Sequence, residues 1–401
     1  MPRPFPLPSL LAGLLLSWFP AVAQQASSEA VPTVTTAKTG PWGEIEYFYI
    51  YLEAPDVLME RFPLPSAITR WAVPRMELGD LNKTLTSNGL TNEEVLELLA
   101  GPSPIREGDW VYLFPSDTLL LSLPRERRSQ LYKYLSQFHP NSFHESPVFF
   151  PGSNARLWAQ GTKLAQDKID LIDRLSFDRG GIDAFSDVPA LLKAARGESE
   201  ARTLYQQLSR TRTLMPRLVI TPETNIESLL NYWITGINLR RKEIEPILKS
   251  ISSTPGARYL DLVHLLPALP RKLLYTYPDT QMISMGLLPD CHWTTLNFFN
   301  YSPQDYYLTQ LAATSAILEN FVKVDPPYRF GDVMMFVNSN GEAVHSCTYI
   351  AADIVFTKNG RTPAMPWIFM DLNGLEQMYG VKDSGNRIQG FRHKKALAPD
   401  R

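Results

Sequence analysis

The last third of the chain constrains the fold most. It contains three short apolar runs, and these come after a segment whose apolar residues have helical spacing. The runs cover residues 332–337, 344–350 and 353–357, and apolar side chains at helical spacing precede them at residues 304–322. The first two runs are separated by Asn338-Ser339-Asn340-Gly341. A polar segment that ends in glycine is typical of a hairpin turn. A helix followed by an antiparallel meander predicts the α+β fold class.

The first half of the chain predicts shorter and more mixed elements. Aromatic and β-branched side chains favour strands at residues 44–52, 67–74, 109–114 and 118–123. Thr91 followed by Glu94 predicts a capping box, which opens a helix that ends near Leu99. Helical patterns then dominate from residue 157 to residue 250, with a short extended link at 217–222.

The change of pattern near that link predicts a division of the chain into two domains. We expect a mixed, largely helical α/β domain of unknown role at residues 42–215. A second domain, at residues 216–401, carries the helix and the meander. A chain of 401 residues has the length expected for two domains.

The N-terminus predicts export. A basic start, Met1-Pro2-Arg3, precedes an apolar stretch from Leu10 to Phe19 and the small residues Ala21-Val22-Ala23. This order is that of a secretory signal peptide, and the apolar stretch is shorter than the roughly 20 residues that span a bilayer. We therefore predict a signal peptide at residues 1–23, a flexible linker at 24–41, and a mature protein in the periplasm or outside the cell.

Composition and charge argue against several classes of protein. The formal net charge is −2, which provides no electrostatic footprint for nucleic acid. The six histidines lack the spacing of metal ligands, and the sequence contains no glycine-rich phosphate loop. No stretch after the signal peptide is long and apolar enough to predict a membrane span. We therefore predict neither a metal nor a cofactor.

Cys291 is the candidate nucleophile. It directly follows Asp290, a good N-cap residue, so it lies in the first turn of a predicted helix. The backbone dipole and the unpaired N–H groups of a first turn favour the thiolate. The same N–H groups can bind the oxyanion that forms after attack on a carbonyl.

His345 is the candidate base, since it begins an apolar strand 54 positions after the cysteine. A third polar group would orient its imidazole, and the candidates are Thr357, Lys358 and Asn359 on or just past the next strand. Asn359 is favoured because its carbonyl can accept from a ring N–H, which an ammonium cannot. Lys358 fits this role only if its amine is neutral.

Cys347 offers a different interpretation of the same region. It is the only other cysteine, and a secreted chain with two cysteines can form a disulfide. Because it follows His345 by two residues, both side chains point to one face of the strand. If His345 faces Cys291, Cys347 does too, and a Cys291–Cys347 bond would remove the free nucleophile.

These motifs resemble those of the NlpC family of papain-like cysteine peptidases. The resemblance covers roughly residues 285–360 and rests on Asp290-Cys291 at a helix start, on the turn and strand from Arg329 to Phe336, and on the strand from His345 to Ile350. Members of this family are typically secreted bacterial endopeptidases that cut the stem peptides of peptidoglycan. The resemblance implies a papain-like fold, with Cys291 as nucleophile and His345 as base.

The chain departs from the family pattern at three places. Where the family usually has Asp-Cys-Ser-Gly, this chain has Asp290-Cys291-His292-Trp293. The third catalytic residue of the family is usually histidine, and it falls here among Thr357 to Asn359. Cys347 replaces a residue that is commonly glycine.

We therefore predict an exported cysteine hydrolase that cleaves an amide bond in peptides or peptidoglycan fragments. Its catalytic residues would be Cys291, His345 and Asn359. One alternative is a non-catalytic scaffold or binding protein of the cell envelope with a Cys291–Cys347 disulfide. The other is an acyltransferase or deacylase on the same fold.

Overall fold

A computed structural model describes residues 33–234, 241–381 and 385–397. The predicted signal peptide and the first part of the predicted linker lie outside these ranges. The strands are β1 (Thr35–Thr36), β2 (Glu44–Leu52), β3 (Trp71–Pro74), β4 (Ile105–Glu107), β5 (Trp110–Leu113), β6 (Val148–Phe149), β7 (Phe177–Arg179), β8 (Ile182–Phe185), β9 (Thr211–Val219), β10 (Tyr259–Asp261), β11 (Phe321–Val324), β12 (Val333–Val337), β13 (Ala343–Ala351), β14 (Ile354–Lys358), β15 (Trp367–Asp371) and β16 (Arg387–His393).

The α-helices are α1 (Asp56–Met59), α2 (Leu78–Ser87), α3 (Asn92–Ala100), α4 (Asp117–Ser122), α5 (Arg125–Leu135), α6 (Ser142–Glu145), α7 (Ala155–Trp158), α8 (Gln166–Leu175), α9 (Val188–Lys193), α10 (Glu198–Leu208), α11 (Ile226–Trp233), α12 (Arg241–Ser253), α13 (Ala268–Leu273), α14 (Thr280–Ser284), α15 (Cys291–Leu296), α16 (Gln310–Asn320) and α17 (Leu372–Met378). Short 3-10 helices lie at Leu262–Leu265, Asp305–Leu308 and Lys394–Leu397.

The sheets are antiparallel, and with the helices around them they confirm the α+β class. The largest sheet has the strand order β11-β16-β12-β13-β14-β15. A second sheet, with the order β1-β2-β9-β10, lies beside it, and two small sheets have the orders β3-β5-β4 and β6-β8-β7. The meander predicted in the last third is therefore present as β12, β13 and β14.

Strands β2 and β9 bring an early segment of the described chain against its middle. They pair along their whole length, from Glu44 opposite Val219 to Leu52 opposite Thr211. The boundary predicted between residues 215 and 216 falls inside β9. The chain between these strands, residues 53–210, builds its own apolar clusters from α2–α5 and from α7–α10. The structure thus places this segment as an excursion between two paired strands.

The core beside the large sheet draws on both ends of the chain. Ile45 of β2 and Leu218 of β9 belong to one buried cluster with Trp293 of α15 and Phe369 of β15. A second cluster covers the opposite face of the large sheet and includes Phe336. The centre of the sheet is therefore buried on both faces, which explains why β12 and β15 are almost continuously apolar.

Two further predictions concern short segments of the first half of the chain, and one is confirmed while the other is wrong. The capping box is present: Thr91 accepts from the Glu94 N–H while the Glu94 carboxylate accepts from the Thr91 N–H. The strand predicted at residues 118–123 is wrong, since this segment forms α4. Ser116 caps that helix by accepting from the Leu119 N–H, and a short apolar run does not distinguish a strand from a buried helix.

A tight turn leads into β12 and contacts the segment after α15. Gly331 has φ +86°, a conformation that favours glycine, and a Cβ there would lie 2.2 Å from the ring of Phe299. The next residue, Asp332, is buried and accepts from the Arg392 guanidinium at 2.7 and 2.6 Å. Its carboxylate also accepts from the Arg329 N–H at 2.8 Å. The Gly-Asp pair therefore fixes where β12 begins relative to α15.

Gly331→Ala should destabilise the protein more than Gly341→Ala. Both glycines have positive φ, at +86° and +85°, but a Cβ at Gly341 would meet nothing within 4 Å. The shared backbone strain costs about 1–2 kcal/mol, and the clash with Phe299 adds about 1–3 kcal/mol at Gly331 alone. Urea denaturation measures the difference. Equal losses in the two variants would mean that the close approach contributes nothing.

Candidate active site

The candidate nucleophile is the first residue of α15, as the sequence predicts. Asp290 caps this helix, and its Oδ1 accepts from the Trp293 N–H at 2.9 Å. Its other oxygen, Oδ2, lies 3.2 Å from Nε of Arg361. Trp367 of β15 donates its indole N–H to Thr294 Oγ1 at 2.9 Å, which ties the helix to the large sheet.

Ser346 of β13 shows which face of the sheet α15 covers. Its Oγ lies 2.9 Å from Nδ1 of His292 and donates to Thr295 Oγ1 at 3.3 Å. Because strand side chains alternate, Ser346 points to the helix while His345 and Cys347 point to the other face. The apolar clusters agree, since Cys347 belongs to the cluster opposite α15.

The thiol of Cys291 lies near the place where the β13–β14 ladder ends. The pairing reaches Thr348 opposite Phe356 and continues from there toward Ala351 and Ile354. The Ser346 N–H therefore lies beyond the last pair, and it points to the Cys291 sulfur. Helix and sheet together enclose the thiol, so that Cys291 is only 7% exposed.

Burial dominates the electrostatics of this thiol. It raises the pKa of Cys291 to about 12, and the neighbouring Asp290 carboxylate adds to the rise. The backbone N–H groups of Ser346, His292 and Cys291 itself favour the thiolate, but they do not offset the loss of water. The first-turn effect that the sequence predicts is present, and desolvation outweighs it.

His345 is completely buried on the face opposite α15. Its Nε2 lies 3.1 Å from Thr357 Oγ1, and its ring stacks on Tyr379 with centroids 4.0 Å apart. Its Nδ1 has no hydrogen-bond partner within the described residues. Burial holds the pKa of His345 well below its usual range, so the ring is neutral at physiological pH. No hydrogen bond joins it to Cys291 in the described part of the chain.

The group that touches the imidazole is Thr357 rather than Asn359. Asn359 instead accepts from Thr357 Oγ1 at 3.5 Å and lies 3.7 Å from the sulfur of Met370. Thr357 and Asn359 share a strand face, as expected, but the Thr357 hydroxyl lies nearer to the His345 imidazole than the Asn359 amide does. Asn359 therefore supports Thr357, and through it the ring of His345.

Lys358 points to the same face of the sheet as α15. Its side chain is completely buried, and its Nζ donates to the carbonyls of Gly360 and Thr362 at 2.8 and 3.0 Å. Burial lowers the pKa of Lys358 to about 7, although the Asp290 carboxylate and, when ionised, the Cys291 thiolate oppose this fall. The sequence admits a neutral Lys358 as the group that orients His345, but its amine lies on the other face of the sheet and bonds Gly360 and Thr362 instead.

Cys347 and Cys291 are both free thiols. Cys347 is completely buried, and its pKa is raised by burial and by the nearby Cys291. Cys291 belongs to α15, which covers one face of β13, and Cys347 points to the other face. The two sulfurs are nevertheless close enough to interact electrostatically. The structure therefore describes the reduced state of this pair.

A cleft of about 1230 Å³ opens on the side of His345. Tyr379, which stacks on the His345 ring, and Asn359 both line it. Across the cleft lie side chains from the excursion and from β9, including Arg179 and Arg212. The cleft therefore lies between the large sheet and the excursion. Tyr379 separates it from His345, and neither Cys291 nor Lys358 is among its lining residues.

Comparisons with protein-family models, with curated proteins and with solved structures find no match for this chain. None of the helices in the described ranges combines the length and apolar character needed to cross a bilayer. Within the same ranges, no group of three or more His, Cys, Asp and Glu side chains is arranged to hold a metal ion.

Asp290→Asn should make Cys291 easier to ionise. The amide keeps the cap on α15 but removes the negative charge that raises the pKa of the thiol, so the pKa falls. Alkylation of Cys291 near pH 7.5 should be faster by about threefold or more. Peptide mapping after a timed exposure to iodoacetamide measures this rate.

Asp371→Asn is the matched control, since Asp371 caps α17 by accepting from the Gly374 N–H at 2.7 Å. It lies at the far end of β15 from Trp367, where α15 is attached. An equal acceleration in both variants would show that the charge of Asp290 does not act on Cys291.

Proposed function

We propose that this protein is an exported cysteine hydrolase with a papain-like C-terminal region, similar to the NlpC family. The observation that carries the proposal is the position of Cys291, the first residue of a capped helix that lies on an antiparallel sheet. Three backbone N–H groups point to its sulfur. Titratable side chains of the sheet, Lys358 among them, surround it.

The chemistry is acyl transfer through a thioester. The Cys291 thiol gives its proton to a neighbouring base, and the thiolate attacks the carbonyl carbon of an amide. The new C–S bond forms as the C–N bond breaks, and the amine leaves with a proton returned by the base. Water then attacks the thioester, which releases the carboxylic acid and restores the thiol.

The substrate class we propose is peptides, in particular the stem peptides of peptidoglycan. The resemblance of residues 285–360 supports this class, and the predicted signal peptide supports a location where such peptides occur. The cleft has a volume above the usual range for small ligands, which suits a peptide fragment.

A non-catalytic envelope protein is the second candidate. The observation in its favour is the burial of Cys291, which raises the pKa of its thiol to about 12 and so disfavours the nucleophilic form. On this interpretation Cys291 and Cys347 pack the core or form a disulfide. The two candidates differ in the reactivity of one thiol.

Brief exposure of the purified mature protein to iodoacetamide without reductant should label Cys291 and leave Cys347 unlabelled. An activated thiol reacts quickly, whereas Cys347 is completely buried and serves as the internal control. Mass spectrometry maps both residues. Cys291→Ala should also abolish the release of new amino groups from muropeptides.

An intact mass two hydrogens below the reduced value, with neither cysteine labelled, would contradict the hydrolase and support the disulfide-bonded scaffold. Slow labelling of both cysteines, together with an unchanged muropeptide profile, would also contradict it.

A further inference from the structure

We propose that Lys358, and not His345, is the base that takes the proton from Cys291. This inference rests on the proposed hydrolase function and names a catalytic residue for it. Three observations support it: the faces of the sheet, the hydrogen-bond partners of the amine, and the charges around it.

The faces of the sheet separate the two candidate bases. Lys358 alternates with Thr357 along β14, so the two side chains point to opposite faces. Thr357 contacts His345 on the face that lies away from α15. Lys358 lies on the other face, about 6.0 Å from the ring of Trp367, which is itself bonded to α15. The nucleophile helix and the lysine therefore share one side of the sheet.

The hydrogen bonds of Lys358 fit a neutral amine. An ammonium has three donors and no acceptor, whereas an amine has two N–H donors and one lone pair. Gly360 and Thr362 provide two carbonyl acceptors, one for each N–H of the amine. None of the ion pairs found within the described residues involves Lys358, and the nearby Asp290 carboxylate is paired with Arg361. The lone pair is thus left to accept a proton.

The charges around the amine stabilise its protonated form, the form that it adopts after it takes a proton from the thiol. The groups that face Lys358 are Asp290 and Cys291 at the start of α15, and the carboxylate and an ionised thiolate both favour the ammonium form. Burial opposes that form and brings the pKa to about 7, so the free amine is present at neutral pH. Moving the proton from Sγ to Nζ creates an anion and a cation side by side, and each stabilises the other in a dry site.

His345 lacks these features. Its pKa is lowered by burial and by His292. Its ring is held between Thr357 and Tyr379. We therefore assign His345 a positioning role: it holds β13 against Thr357 and holds Tyr379 in the wall of the cleft.

In the proposed reaction, the Sγ–H bond of Cys291 breaks and its proton forms a third N–H bond on the Lys358 amine. The thiolate then attacks the substrate carbonyl, and the ammonium returns the same proton to the leaving nitrogen. Lys358 is again neutral when water arrives, and it takes a proton from that water as the C–O bond forms. The C–S bond then breaks, and the ammonium returns the proton to Sγ, which restores the thiol and the amine.

The test is the pH dependence of Cys291 alkylation by iodoacetamide in the wild-type protein, Lys358→Gln and His345→Gln. The glutamine at position 358 keeps two N–H donors for the carbonyls of Gly360 and Thr362 but cannot take up a proton. Circular dichroism and urea denaturation verify that each variant is folded. The wild-type profile itself needs no variant and gives the midpoint of thiol activation.

We expect a wild-type midpoint near 7, the value at which Lys358 loses its proton. Lys358→Gln should move the midpoint toward the higher pKa of the isolated thiol and slow alkylation near pH 7.5 by about tenfold or more. His345→Gln should keep the midpoint and change the rate by less than about threefold.

A midpoint that is kept in Lys358→Gln but lost in His345→Gln would overturn this inference and leave the hydrolase proposal intact. If wild-type Cys291 is alkylated only at the high pH where an ordinary thiol ionises, both this inference and the hydrolase proposal are overturned. The two failures are therefore distinguishable in one set of measurements.

Discussion

The pairing of β2 with β9 is the constraint on which the rest of the structure depends. It places the first strands of the chain against the sheet formed by its last third, through bonds that cross between the sheets. Thr213 Oγ1 donates to the Phe369 carbonyl at 2.8 Å, and Tyr275 donates its hydroxyl proton to the Leu214 carbonyl at 2.6 Å. Without this attachment, the face of the large sheet that carries α15 would lose the apolar cover of Ile45, Leu214 and Leu218.

Burial sets the chemistry of the site as much as its geometry. Loss of water pushes each ionisable group in it toward the neutral form: the thiol of Cys291, the amine of Lys358 and the imidazole of His345. When a neutral thiol and a neutral amine share a dry site, a single proton transfer gives both groups a charge. Lys358 lies on the same side of the sheet as the thiol, and Thr357 contacts the imidazole on the other side.

Much of the fold could be predicted from the sequence because its signals are local. The capping box at Thr91, the aromatic run of β2 and the hairpin turn after β12 each act over a few residues. The partner of β2 could not be predicted, since the residues of Thr211–Val219 carry no local signal that specifies which distant strand they pair with. For the same reason the face of His345 was ambiguous: alternation fixes which side chains share a face, but not which face α15 covers.

The excursion between β2 and β9 has a consequence for how the chain reaches its native state. Closing a loop of well over a hundred residues costs conformational entropy that grows with the logarithm of loop length. Residues 53–210 build compact apolar clusters of their own, and they begin and end beside the paired residues Leu52 and Thr211. Once these clusters form, the effective loop is short and the strand ends already lie close together. This topology favours an order of assembly in which the excursion condenses first and β2 and β9 pair afterwards.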